Sequence, residues 1–209
     1  RSLDPEELFQ ITVDQLGPAL QVDRCIIYRC PTQRAEVTLR HEHRQPDTRS
    51  LVDVGWPIAD NPLLEQIRQE HEAIVIADTQ APPRPLQTAL DALNYLVAEW
   101  HLRSWALVPL IYQQRLLGMI ELHHCQDLPH NWTEDDFALV EAVAAQLSVA
   151  IIQADAYAHL QELNQQLEAL ERTRSNLIAI TGHELRTPLS TIQVCLESLA
   201  TEPDMPDQL

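Results

Sequence analysis

The sequence predicts an α+β domain followed by a single long helix, and two features of its pattern support this fold class. Up to about residue 133, short β-branched or alternating segments typical of strands are interleaved with segments of helical period. Beyond Thr133 the helical pattern runs without glycine or proline as far as Gly182 and Pro188. Because the strands alternate with helices of ordinary length, we expect one mixed sheet with helices packed on it.

Local composition predicts each element of the first region. A stripe of Leu8, Ile11 and Leu16 indicates an amphipathic helix over residues 5–20. Residues 35–42 alternate, with Val37 and Leu39 on one face, as a strand does. The other predicted elements are a strand at 25–30, a helix at 62–71, a strand at 73–78, a proline-rich loop at 79–85, a helix at 86–100, and a hairpin of strands 104–112 and 116–125.

The long helix has both a start signal and a dimerisation signal. Thr133 and Asp136 have the spacing of a capping box. Leucines then recur at alternating steps of three and four residues, the coiled-coil spacing, if Arg174 occupies one seam position: Leu160, Leu163, Leu167, Leu170 and Leu177. About 65 helical residues would span roughly 100 Å, far more than the preceding domain can cover. We therefore expect a parallel homodimer formed through this helix.

Composition narrows the possible partners and compartment. The formal charge is −17, from 14 Lys plus Arg against 31 Asp plus Glu, which disfavours binding to nucleic acid or to anionic lipid. No apolar run is long enough to cross a membrane, and no leader opens the chain, so we expect no membrane segment in it. The four cysteines form no CxxC pair, which is typical of reduced thiols in a cytoplasmic protein.

The segment from Ile180 to Leu189 contains the residues best suited to chemistry. His183 and Thr187 are four apart and share a helical face, and Glu184 adjoins the histidine. A neutral imidazole is a nucleophile, and a neighbouring carboxylate can fix its tautomer and accept its proton. Pro188 removes one backbone hydrogen bond just beyond the histidine. This arrangement suits a phosphoryl acceptor, because phosphoryl transfer needs from its acceptor little more than position and a lone pair.

The heptapeptide HELRTPL, residues 183–189, resembles at every position the H-box of the histidine-kinase dimerisation and phosphoacceptor domain. The resemblance implies that His183 is the phosphoacceptor, that Glu184 is the general base, and that Thr187 orients water in the reverse, phosphatase reaction. Gly182 stands where many members of the family have serine.

The same resemblance implies the partners of this reaction. ATP would be the phosphoryl donor, bound by a C-terminal catalytic domain of the full-length protein, and an aspartate of a response-regulator receiver domain would accept the phosphoryl group. Glycine totals only four, and no glycine-rich nucleotide box is present in these residues. We therefore expect this chain not to autophosphorylate alone.

The strings LVPLIYQQRLLGMIELHHC (107–125) and NWTEDDFALVEAVAAQLSVAI (131–151) resemble the last strands and final helix of cyanobacterial, phytochrome-related GAF domains. This resemblance implies a GAF-like sensor domain over 1–155 with a central antiparallel sheet flanked by helices. It is followed by a signalling helix over 133–178, which overlaps the last GAF helix. The first helix of the phosphoacceptor domain, with the start of its inter-helix turn, would occupy 175–209.

The ligand of the sensor domain is not identified by the sequence. In bilin-binding relatives a Cys-His pair lies about seventeen residues before the Val-Pro of the next strand. Counted back from Val108, those positions are Ala92 and Leu93, so we expect no covalent bilin.

A metal or haem site is the second alternative for the sensor, and its candidate ligands are Cys25, Cys30, Cys125, His123 and His124. Cys25 and Cys30 are five apart and point to opposite faces of a strand. We expect them to be buried apolar residues and predict no metal site. Trp100 and Trp105 could line a pocket for a planar ligand or belong to the core. A dimerising binding module whose histidine is vestigial remains the competing class of function.

Overall fold

The computed structural model describes residues 5–31 and 35–200, and the chain divides into two compact units, Arg1–Ala156 and Tyr157–Leu209. The elements, in chain order, are α1 (Pro5–Ala19), β1 (Arg24–Arg29), β2 (Glu36–Thr38), β3 (His41–Arg44), β4 (Gly55–Pro57), α2 (Pro62–Glu70), β5 (Ile74–Ile76), α3 (Arg84–Ala92), α4 (Asn94–Glu99), β6 (Ser104–Tyr112), β7 (Arg115–His124) and α5 (Glu134–Ala200).

Five strands form the central sheet of the first unit in the order β3-β1-β7-β6-β5, and β2 and β4 form a small second sheet. Every pairing between the described strands is antiparallel. The antiparallel sheet implied by the GAF resemblance is therefore confirmed, whereas the mixed sheet expected from the interleaving of elements was wrong.

The β6–β7 hairpin is the longest strand pair and was predicted correctly. Its two-residue turn consists of Gln113 and Gln114, whose φ angles are 47° and 64°. Positive φ at both positions is the geometry whose twist matches that of the flanking strands. Glutamine is a rare choice there, since its Cβ makes left-handed backbone costly.

Two segments that were predicted as single elements are each divided in the structure. Residues 35–42 form β2 and β3, which belong to different sheets, because Leu39 between them bonds through its backbone to Asp53 and Val54 instead. Residues 86–100 form α3 and α4 with a break at Leu93, which is 4% exposed. Tertiary packing decides both divisions, and neither carries a glycine or proline signal in the sequence.

The sheet buries a different core on each of its two faces. On one face, α1 and the first part of α5 pack through Phe9, Val13, Val140 and Leu147. On the other face, α2, α3, α4 and the small sheet cover a core that contains the aromatic residues Tyr28, Trp56, Trp100 and Trp105. Alternation along β1 places Cys25 in the first core and Cys30 in the second, as their spacing predicted.

Helix α5 begins at the predicted capping box. The backbone N–H of Thr133 donates to Asp136 Oδ2 at 2.9 Å, and the N–H of Asp136 donates to Thr133 Oγ1 at 3.2 Å. Among the described residues, the part of this helix from Glu134 to Ser198 is long and apolar enough, by length and composition, to cross a membrane. This is weak evidence, because a helix that packs into a core passes the same test, and α5 buries Val140 and Ile151.

Candidate functional site

The residues of the HELRTPL segment lie on α5 in the second unit. His183, Glu184 and Thr187 are all exposed on the helix. The Thr187 hydroxyl donates to the His183 carbonyl at 3.4 Å, which is the usual bond of a helical threonine to the preceding turn. A ligand or water can therefore reach the His183 imidazole without any movement of the described residues of this unit.

Pro188 lies inside α5, and the helix continues past it to Ala200. Proline has no N–H, so the Glu184 carbonyl loses the donor that a helix would otherwise supply four residues later. A Cβ built on Gly182 would meet nothing within 4 Å, so a serine side chain would fit there. The helix therefore lacks one backbone hydrogen bond close to His183, and there is free space beside the neighbouring Gly182.

Large apolar side chains are exposed along the described part of the second unit, each by 41–66%: Leu160, Leu163, Leu167, Leu170, Leu177, Ile178, Ile180, Leu185, Leu189, Ile192, Val194 and Leu196. Monomeric soluble proteins rarely expose so continuous an apolar surface. The leucines predicted at the coiled-coil seam are all in this set, and the described residues of the second unit do not bury them.

A second group of chemically capable residues is buried in the sensor domain around Glu121, which is 0% exposed. Its carboxylate accepts hydrogen bonds from the Tyr28 hydroxyl and from Trp105 Nε1, the latter at 2.9 Å. Arg24 Nη1 lies 3.1 Å from His123 Nδ1, and His123 Nε2 lies 3.3 Å from Glu121 Oε2. Since arginine can only donate, His123 accepts at Nδ1 and donates from Nε2 to the carboxylate.

Burial dominates the protonation of this network. It raises the pKa of Glu121 to about 7, although the bonds from Tyr28 and Trp105 act in the opposite direction. Burial also lowers the pKa of His123 well below its ordinary value, and the charge of Arg24 adds to this effect, so His123 is neutral. The same desolvation raises the pKa of the Cys30 thiol to about 12, which makes it a poor nucleophile.

We expect Glu121→Gln to remove a pH dependence of stability. The folded-state pKa of Glu121 is raised, so its contribution is fully present below pH 4.5 and is lost as pH rises through about 7. Between pH 5 and pH 8 the unfolding free energy of the wild type should fall relative to that of Glu121→Gln by roughly 2–3 kcal/mol. Urea unfolding at several pH values measures this shift. The exposed Glu7→Gln is the control, and a difference that does not vary with pH would contradict the raised pKa.

The structure separates the residues considered for a metal or haem site. Cys25 and Cys30 lie on opposite faces of the sheet, His123 stacks on Trp56 with ring centroids 6.2 Å apart, and the His124 ring contacts Asp23 at 3.1 Å. Within residues 5–31 and 35–200, no group of three or more His, Cys, Asp or Glu side chains is placed to hold a metal ion.

The aromatic side of the sheet is the place where a planar ligand was considered. Trp100 and Trp105 are core residues there, 3% and 0% exposed, and Trp56 packs between them with ring centroids 4.8 Å and 6.1 Å away. Ala92 ends α3 and the buried Leu93 follows it, so neither position supplies a thiol.

Sequence reasoning missed Trp56 and the network of Glu121 with Arg24 and Tyr28. A signal was available, because Glu121 interrupts the apolar run of a strand and shares its face with His123. A charge at an inward position of a buried strand needs partners from other strands. Those partners cannot be identified before the pairing of β1 with β7 is known.

Comparisons with known proteins agree with this architecture. The family model described as GAF domain matches residues 4–151. The circadian input-output histidine kinase CikA of Thermosynechococcus vestitus is 29% identical over 92% of this chain, and that of Synechococcus elongatus is 25% identical over 91%. The chain spans 29% of the length of each of these relatives.

A solved structure has a similar fold. The far-red absorbing dark state of JSC1_58120g3 with bound biliverdin IXa matches with a TM-score of 0.61 and 26% identity, over 73% of this chain and 92% of that one. The first region is thus a GAF sensor domain related to the sensor regions of histidine kinases. Because the GAF domain model matches most of its length, the chain belongs to the GAF domain family.

Proposed function

We propose that this chain is the sensor and phosphoacceptor region of a two-component histidine kinase, in which the GAF domain controls phosphorylation of His183. One observation carries the proposal: the HELRTPL segment lies exposed on α5, the same helix that packs through Val140 and Leu147 into the GAF core. The relatives named as histidine kinases match over nine-tenths of the chain, a range that includes more than the GAF domain.

The proposed chemistry assigns one role to each residue of the site. A lone pair of the neutral His183 imidazole attacks the γ-phosphorus of ATP held by a separate catalytic domain, a P–N bond forms, and ADP leaves. Glu184 accepts the proton from the other ring nitrogen and so keeps the attacking nitrogen nucleophilic. An aspartate of a response regulator then receives the phosphoryl group, and Thr187 orients the water in the reverse, phosphatase reaction.

We infer that the partner of the exposed apolar surface is the same surface of a second copy. The leucines at 160, 163, 167 and 170 have the step pattern of a coiled-coil seam, which fits a parallel copy of the same helix. Two arrangements of the paired helices would present His183 differently to the catalytic domain, and the ligand state of the GAF domain would select between them.

We expect Leu167→Asp to convert a dimer into a monomer, because it places a charge at the centre of the seam. Analytical ultracentrifugation should give the mass of two chains for the wild type and of one chain for the variant. Gln165→Asp is the matched control, since it adds the same charge on the face away from the seam and should remain dimeric. A wild-type chain that is monomeric at micromolar concentration would contradict the dimer.

The phosphoacceptor assignment is tested by incubating the chain with γ-labelled ATP and the separately expressed catalytic domain of the Thermosynechococcus vestitus relative. Label that is acid-labile and stable in alkali should accumulate on the chain, and the chain with ATP alone should stay unlabelled. If the chain stays unlabelled while the same catalytic domain labels the phosphoacceptor region of its own protein, the chain is a dimerising binding module instead.

We also propose that the GAF domain carries no covalent bilin. The relevant positions are Ala92 and Leu93, and Trp56, Trp100 and Trp105 pack together on that side of the sheet. Protein purified from a bilin-producing host should be colourless after denaturation in acidic urea. A visible band that persists there would overturn this proposal, and a band near 400 nm with bound iron would indicate haem.

A further inference from the structure

A groove of about 530 Å³ lies at one corner of the central sheet. Strand β3 begins at His41, which pairs with Ile27, whereas β1 continues beyond that pair to Arg29. The edge of β1 past Ile27 therefore has no strand beside it on the β3 side among the described residues. The groove occupies this notch, with α1 on one side and the start of β7 on the other.

The side chains around the notch concentrate positive charge. Arg29, Arg40 and Arg115 line it, and Glu6 is the single carboxylate among the described lining residues. Glu6 Oε2 also lies 2.9 Å from His41 Nε2. In a chain of formal charge −17, these three arginines outnumber the two carboxylates beside them, Glu6 and the Asp155 that pairs with Arg29.

Arg40 and Arg115 are exposed, and no ion pair or hydrogen bond engages their guanidinium groups in the described part of the chain. Arg29 donates two hydrogen bonds to the Asp155 carboxylate of α5, from Nη1 to Oδ1 at 3.1 Å and from Nη2 to Oδ2 at 2.6 Å. That pair is 39% and 47% exposed, so water competes for it and its net contribution to stability is small. One of the three arginines thus already binds a carboxylate, and that partly exposed pair can be exchanged for another anion.

We propose that this groove binds a small molecule that carries an oxyanion, either a phosphate or a carboxylate. Arg40 and Arg115 bind the oxyanion, and Arg29 breaks its ion pair with Asp155 to bind it as well. Planar guanidinium groups match both kinds of anion with paired hydrogen bonds. Occupancy would release a side-chain contact between the sheet and α5. The site depends on the geometry of the GAF domain and not on the assignment of His183.

Calorimetric titration of the whole chain with sodium phosphate and with succinate, at constant ionic strength and pH 7, tests the site. Saturable binding of at least one anion is expected. Binding of phosphate would indicate a phosphate site, and binding of succinate would indicate a carboxylate site. The double variant Arg40→Gln/Arg115→Gln should weaken binding at least about tenfold. Asp155→Asn, which leaves Arg29 unpaired, should strengthen it.

Arg84→Gln is the matched control, because Arg84 is an exposed arginine at the start of α3, away from the groove. It should bind as the wild type does, and all variants should keep the wild-type thermal midpoint. Absence of saturable binding of both anions would overturn the proposal. Equal weakening in Arg84→Gln, or unchanged affinity in Asp155→Asn, would also overturn it.

Discussion

Replacing His183 by glutamine should abolish phosphoryl transfer to this chain from the catalytic domain of the related kinase. Glutamine keeps the size and polarity of the site but has no nucleophilic nitrogen that can form a P–N bond. His183 is exposed, and a Cβ at the neighbouring Gly182 would meet nothing within 4 Å, so the helix itself should be unaffected. Acid-labile label should fall to background, a loss of at least about a hundredfold on the scale of a removed catalytic group.

The chain contains a matched control for this substitution. His159 is also exposed and lies on α5 in the same unit, but it is outside the H-box. His159→Gln should accept label at the wild-type rate, and both variants should show the same helical circular dichroism. Label that persists in His183→Gln, or that disappears in His159→Gln, would mean that the acceptor has been assigned to the wrong residue.

Replacing Trp56 by alanine should produce the largest loss of stability of any single change in the sensor domain. The Trp56 side chain is 0% exposed and packs on Trp100, Trp105 and His123, with ring centroids 4.8, 6.1 and 6.2 Å away. Its removal takes a large apolar surface out of the core and leaves a cavity, which typically costs about 3–5 kcal/mol. The free energy of unfolding in urea, measured at fixed pH, gives this loss directly.

Tyr95→Ala is the comparison, because Tyr95 is an aromatic residue of similar size that is 57% exposed on α4. Its replacement should change the unfolding free energy by less than about 0.5 kcal/mol. A loss below about 1 kcal/mol in Trp56→Ala would contradict the closed packing on this side of the sheet. It would also reopen the possibility of a planar ligand there.

Elements with strong local signals were predictable from the sequence. Helix α1, the β6–β7 hairpin and the start of α5 at Thr133 follow from periodicity, turn position and capping, which depend on neighbouring residues alone. The buried face of α1 was in part predicted incorrectly, because Phe9 and Val13 pack in the core whereas Ile11 is 42% exposed. The resemblance of HELRTPL to an H-box could be seen for a similar reason, since a contiguous heptapeptide needs no knowledge of the fold; its function stays a prediction.

Features that depend on distant residues were not predictable. The division of residues 35–42 depends on β4, a three-residue strand that the sequence pattern did not reveal. The break at Leu93 lets Leu90, Leu93 and Leu96 all pack into one core. This packing depends on distant residues, so local helix propensity does not predict the break. The network of Glu121 with His123 and Arg24 likewise depends on the pairing of strands that are far apart in the chain.

The site of phosphorylation on the wild-type chain is the most direct test of the function proposed here. After incubation with ATP and the related catalytic domain, the chain is digested at alkaline pH and the phosphate is located by tandem mass spectrometry. The expected result is one phosphate on the His183 imidazole, lost on brief exposure to acid. A phosphate on any other residue, or an unmodified HELRTPL peptide beside an active catalytic domain, would contradict it.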